Sequence, residues 1–160
     1  MNNFPSHLNF TKQSGFTLTE VLIVLGILSV LALLGGSWLS TQIPHYQLNG
    51  VVRQVRADLL AARMQAVSQG NEFRVVFEDK HQYDILDDDN NNGKADAGEL
   101  VKTRSIEENY PGVTVQSNRN PIFHPRGTAS SLGTISVANS AGEKTITVSM
   151  TGRVKVQSSN

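Results

Sequence analysis

The stretch from Ser14 to Gly36, SGFTLTEVLIVLGILSVLALLGG, constrains this chain more than any other feature. It is apolar except at its mouth, where Glu20 stands. A carboxylate at membrane depth is costly and persists only where it has a role. From Val21 to Leu39 only Gly26, Ser29, Gly35, Gly36 and Ser37 interrupt the apolar pattern. At ~1.5 Å per residue the run reaches about 28 Å, close to the ~30 Å of a hydrocarbon core, so a spanning helix is expected. A secretory signal peptide would place its apolar region ahead of a small-residue cleavage site. Here the order is reversed, with a mostly polar MNNFPSHLNFTKQSG and its single Lys12 first. An ordinary single-pass anchor with a cytoplasmic N-terminus is the plainer reading, with Lys12 as its positive-inside signal.

The chain beyond this run must hold the soluble structure. The chain has 160 residues, which leaves roughly 100 for one globular domain. Fourteen Lys and Arg balance fourteen Asp and Glu, so no global basic field argues for nucleic acid. Cysteine is absent, and a small domain must therefore be held by packing or by a metal. Gly35, Gly36 and Pro44 predict a kink or a melted stretch between the membrane run and the next helix. Trp38 suits a membrane interface. Beyond Pro44, Leu48, Val52, Val55, Leu59, Ala62 and Ala66 step by threes and fours, the apolar stripe of an amphipathic helix that ends at Gly70. Arg53, Arg56 and Arg63 read as its solvated flank.

After Gly70 the period becomes two. Phe73, Val75 and Phe77 alternate with Arg74, Val76 and Glu78, and QYDIL, ELVKTRSI, GVTVQ, GTISVAN, KTITVSM and GRVKV come next as short strand-like runs. Their connections are too short for helical crossovers, so the strands pair antiparallel. The expected fold is α+β: a long N-terminal helix packed on a small antiparallel β domain.

One loop carries a ligand pattern. In DDNNNGKADAGE, Asp88, Asn90 and Asn92 take the first, third and fifth places of a calcium loop, and Gly93 takes the sixth. Lys94 would offer its carbonyl at the seventh, Asp96 stands ninth and Glu99 twelfth. The flanks read as strands, so a structural Ca²⁺ would sit in a hairpin loop without the usual helix pair. Good turn formers around Asn92-Gly93 explain the same letters as a solvated turn.

Catalytic signals are missing. There is no Cys nucleophile, no Gly-x-Ser-x-Gly elbow and no phosphate loop, and His7, His45, His81 and His124 lack metal-ligand spacing. These histidines read as surface residues, and the chain is not expected to be an enzyme.

The segment GFTLTEVLIVLGIL resembles the type IV pilin N-terminal signature. The resemblance implies a leader of residues 1–15 cut by a prepilin peptidase between Gly15 and Phe16, with methylation of the new amino terminus on Phe16. Thr19 replaces the usual aliphatic residue before the glutamate. It also implies a partner for Glu20, the α-amino group of Phe16 in a neighbouring subunit, whose positive charge keeps the carboxylate ionised and rewards lateral assembly. A carboxylate that only favours a helix N-terminus is the alternative. Residues 16–40 would then form the transmembrane and filament-core helix, 41–70 the amphipathic helix and 71–160 a periplasmic β domain. The protein would lie in the bacterial inner membrane as a single-pass chain, in contact with lipid, other pilins or pseudopilins and the inner-membrane assembly platform.

This layout, together with PIFHPRGTASSLGTISVANSAGEKTITVSMTGRVKV, resembles the GspH/FimT group of minor pseudopilins and minor pilins. Pro44 lies about seven residues later than the common pilin proline. The resemblance implies a filament subunit, placed in a tip or priming complex of a type IV pilus or a type II secretion pseudopilus. A second implication is a FimT-like DNA-binding minor pilin, in which the family feature is a C-terminal Gly-Arg-x-Arg. Here the letters are Gly152, Arg153, Val154 and Lys155. Arg153 and Lys155 would share one strand face and meet phosphates, or simply guard an edge strand with charge.

Overall fold

The computed structural model describes residues 15–92, 96, 97, 99 and 101–158, and leaves out the side chains of residues 34–39. The expected leader up to residue 14, and Lys94 of the Asn/Asp loop, fall outside the described residues. The chain divides into two compact units, the first ending at Leu39 and the second beginning at Ser40.

Helix α1 runs from Leu18 to Gln69. Of the kink or melted stretch expected between Gly35 and Pro44, the melted stretch is absent, because every residue there is helical. A proline deletes one backbone bond, and glycine costs only about 1 kcal/mol in a helix interior, so ladders on both sides can carry such a segment. The Pro44 carbonyl instead accepts a bond from Asn139 Nδ2 at 2.7 Å.

Within the first unit the helix has no core. Every described side chain from Gly15 to Leu33 is exposed, Leu18 and Leu33 each to 78%. A helix that is apolar all round is stable only when something covers it. Among the described residues no helix is long and apolar enough to cross a membrane.

The second unit has a conventional core. On α1, Leu48, Val51, Val52, Val55, Leu59, Ala62 and Ala66 are buried, which is the predicted stripe plus Val51. Gly70 closes the helix in the left-handed region, at φ 83°, with its N–H on the Ala66 carbonyl at 3.1 Å.

Among the described residues nine strands come after the helix: β1 (Glu72–Val76), β2 (Gln82–Asp88), β3 (Val101–Ser105), β4 (Thr114–Ser117), β5 (Ile122–Phe123), β6 (Ala129–Ser130), β7 (Thr134–Asn139), β8 (Gly142–Val148) and β9 (Val154–Ser158). They form two sheets, in the orders β3-β2-β1-β5-β6 and β4-β7-β8-β9. All of these pairings are antiparallel. The fold is α+β, with the helix and two antiparallel sheets around one core. Phe73, Val75, Tyr83, Ile85 and Phe123 of the first sheet join Val115, Ile135, Val137, Ile146 and Val148 of the second in that core. Backbone bonds tie the sheets together, Val115 N to Lys80 O at 2.8 Å and Ala129 N to Met150 O at 2.9 Å.

Candidate functional site

The start of α1 is shaped by its own letters. Thr17 is the N-cap: its Oγ1 accepts the Glu20 N–H at 3.2 Å, and its carbonyl accepts the Val21 N–H at 3.2 Å. Thr17-Leu18-Thr19-Glu20 has the residue types of a capping box, with the carboxylate at its third helical position. Phe16, one residue outside the cap, lines a small apolar cavity with Glu20, Val21, Val24 and Leu25. Phe16 and Val21 hold the sequence positions of a hydrophobic staple, before the cap and fourth in the helix, although Phe16 stays largely exposed. The Gly15–Phe16 bond therefore lies just outside the first helical turn, in non-helical chain, with Phe16 exposed to 83%. Glu20 is exposed in that first turn, where the helix dipole favours a negative charge.

The Asn/Asp loop is drawn together by hydrogen bonds among its described residues. The Asn92 backbone N–H reaches Asp88 Oδ1 at 2.9 Å and Asn90 Oδ1 at 3.0 Å. Asn90 Nδ2 donates to Asp96 Oδ2 at 2.8 Å, the Asn92 amide also donates to that oxygen, and Asp96 N–H donates to Glu99 Oε2 at 2.9 Å. Glu99 Oε1 is buried without a hydrogen-bond partner among the described residues. Asp88 is fully buried, and its Oδ2 accepts from Arg74 Nε at 2.5 Å. Burial, and then the neighbouring charges of Asp89, Glu99 and Asp88, push the Asp87 carboxyl above its usual range, against a lowering bond from Asn71. Among the described residues no three His, Cys, Asp or Glu side chains are placed to hold a metal ion.

At the C-terminal strand, Arg153 and Lys155 are exposed and line one cleft of about 390 Å³ with Thr147, Val148, Ser149 and Thr151. The turn before Arg153 is fixed by Gly152 N–H on Ser149 O at 2.8 Å and Ser149 N–H on Arg153 O at 2.9 Å. Gly152 is buried at φ 71°, and a Cβ there would fall 2.3 Å from the Gly127 carbonyl oxygen. That carbonyl accepts Arg63 Nε at 2.8 Å. Arg63 therefore departs from the solvated flank: it is half-buried and ties α1 to two turns, while Arg53 and Arg56 are exposed as expected.

Two polar clusters escaped the sequence reading. Asp58, on α1, accepts Tyr83 Oη at 2.6 Å and Arg104 Nε and Nη2 at 3.2 Å each. Burial, followed by the Asp58 bond and charge, pushes the Tyr83 hydroxyl far above its ordinary value. Asp58 and Arg104 border an open cavity of about 530 Å³ whose walls include Gln54, Thr103, Glu108 and Asn109. The second cluster corrects the reading of His124 as a surface residue. His124 is half-buried, with Nδ1 2.8 Å from Glu72 Oε1 and Nε2 2.8 Å from Ser130 Oγ. Glu72 Oε2 in turn holds Arg74 Nη2 at 3.1 Å. The signal lay in strand alternation, which puts Glu72 and Arg74 on the face opposite Phe73. Nothing in the letters placed residues 124 and 130 beside it, because β5 and β6 have two residues each.

Comparison with known proteins matches residues 51–152, well over half of the chain, to the family described as type II transport protein GspH. Residues 10–36 match the prokaryotic N-terminal methylation motif. No curated protein matches the chain. Among solved structures, the type IV minor pilin FimU of Pseudomonas aeruginosa aligns at 19% identity with a TM-score of 0.55, over 71% of this chain and 90% of its own. The minor pseudopilin EpsH from the type 2 secretion system of Vibrio cholerae aligns at 13% identity with a TM-score of 0.55, over 70% of this chain and 97% of its own. These likenesses establish the shared fold.

Proposed function

Because the chain belongs to the GspH family and carries the prokaryotic N-terminal methylation motif, we propose that it is a minor pilin or pseudopilin whose activity is assembly rather than catalysis. Prepilin peptidase cuts Gly15–Phe16, and the Phe16 amine is methylated. The apolar first part of α1 sits in the bacterial inner membrane, with the β domain in the periplasm. The observation that carries this reading is the helix start: a scissile bond in non-helical chain, one residue ahead of a Thr17 cap, with Glu20 exposed in the first turn beside Phe16. Glu20 there can meet the Phe16 amine of a neighbouring subunit, and the uncovered apolar helix gains a partner in the same step. The subunit then enters a type IV pilus or a type II secretion pseudopilus, in its tip or priming complex, working with other pilins and the assembly platform. Deleting the gene and scoring surface pili and secreted enzymes in parallel tests this. Loss of one output names the machine, and loss of neither removes the reading.

DNA capture is the second reading, favoured by the single cleft that Arg153 and Lys155 share with three hydroxyl side chains. Cations and hydroxyls on one surface are what phosphate oxygens bind.

A structural Ca²⁺ in the Asn/Asp loop belongs to the same proposal. Asp88, Asn90, Asn92, Asp96 and Glu99 already share one hydrogen-bonded loop, a buried Glu99 oxygen lacks a donor among the described residues, and Lys94 would add its backbone carbonyl. The cation would compete with Arg74 for Asp88 and relieve the carboxylate repulsion that, after burial, helps to raise Asp87.

A further inference from the structure

We propose that Ser130 is an activated serine, a nucleophile that accepts an acyl or phosphonyl group from a small activated donor. Glu72 as a carboxylate can only accept, so His124 Nδ1 is the donor in their 2.8 Å contact. In the neutral ring that leaves Nε2 as an acceptor, 2.8 Å from Ser130 Oγ, which must donate its proton to it. This is the order of roles in a Ser-His-carboxylate relay: nucleophile, base, and a third group that fixes the tautomer and steadies the imidazolium. Glu72 is itself held by Arg74, and Arg74 by the buried Asp88, so the orienting carboxylate does not swing freely. Ser130 stands half-exposed on β6, one of the two edge strands of its sheet. Ser131 comes next at φ 51°, a left-handed conformation that is strained for a non-glycine residue, and such strain gathers at functional positions.

The step balances within these groups. Ser130 Oγ adds to the acyl carbon and its proton passes to His124 Nε2. The bond to the alkoxide or thiolate leaving group breaks, and His124 returns the proton to that group. The products are an ester on Ser130, a free alcohol or thiol and a neutral imidazole. A half-exposed serine on a two-residue strand suits a small donor and a lasting modification rather than an enclosed, turned-over substrate.

The same three residues could merely clamp β6 to β1, and the test separates the two roles. The full-length protein in detergent is treated with a biotinylated fluorophosphonate, which loses fluoride to a reactive serine, and the labelled peptide is identified by mass spectrometry. Label on Ser130 is expected, lost in Ser130→Ala and in the urea-unfolded wild type, and slowed by about a hundredfold in His124→Gln, the size of a general-base contribution. Glu72→Gln should slow it less. A clamp would change unfolding but not labelling. Absence of label from folded wild type overturns the proposal whatever the variants do, as does equal labelling of Ser130→Ala or of a folded His124→Gln protein.

Discussion

The Tyr83 hydroxyl donates a hydrogen bond to Asp58 Oδ2 at 2.6 Å, joining β2 to helix α1 inside the core. Asp58 would otherwise be a nearly buried carboxylate, and Arg104 completes its neutralisation from β3. Replacing Tyr83 by Phe removes the bond but keeps the ring against Phe77, and should cost about 1–2 kcal/mol in chemical denaturation. Asp58→Ala should cost more, because it strands the buried Tyr83 hydroxyl as well as Arg104.

The same pair sets an alkaline limit. The folded state holds the Tyr83 proton more tightly than the unfolded chain, so the unfolded chain releases it first as pH rises. Stability from this group is complete below the ordinary tyrosine value of about 10 and declines above it. Unfolding midpoints measured across pH 8–11 should fall at the alkaline end in wild type, and fall less in Tyr83→Phe.

Gly152 is required by geometry as well as by backbone conformation. A methyl group there meets the Gly127 carbonyl, while φ is 71°. Gly152→Ala should therefore destabilise the β8–β9 turn by about 1–3 kcal/mol, against a smaller loss for Arg63→Ala. If Gly152→Ala melts with the wild type, the packing of Arg63, Gly127 and Gly152 is not what fixes that turn.

Most of the architecture could be read from period and punctuation. The helix stripe from Leu48 to Ala66, its Gly70 stop and seven of the strands are visible in residue spacing alone. What was lost had physical causes. The two-residue β5 and β6 are too short to show alternation. The run of α1 through Pro44 depends on the cost of one missing bond, which no local rule decides. Arg63, His124 and Asp58 look like surface polar residues until strands from far along the chain arrive beside them. At the N-terminus, by contrast, the contact between Thr17 and Glu20 is local, within one helical turn.

If the Asn/Asp loop holds Ca²⁺, millimolar calcium should raise the thermal midpoint of a fragment from about Tyr46 onward, and magnesium should do little. The shift should vanish in Asp88→Ala and in Glu99→Ala. Asp87→Asn should raise the midpoint of the calcium-free fragment, because ionised Asp87 is disfavoured there by burial and by its acidic neighbours. An unchanged wild-type midpoint on adding calcium after chelation leaves a hydrogen-bonded turn.

If the Arg153 and Lys155 cleft meets phosphates, the same fragment should bind duplex DNA weakly, with affinity falling steeply as salt rises. Replacing both residues by Ala should abolish binding or lower the salt slope by about two. Equal binding by the double variant removes this cleft from the DNA reading.

Assembly through Glu20 makes a separate demand. Glu20→Ala should still be cut and should stay in the membrane fraction, yet fail to enter filaments sheared from cells. Normal incorporation would show that the carboxylate serves only the helix start.

The most direct test of the pilin account is the intact mass and N-terminal peptide of the protein made in a host with prepilin peptidase. The account predicts a chain beginning at Phe16 with a methylated amine and without residues 1–15. A chain still carrying Met1 and the uncut Gly15–Phe16 bond would contradict it.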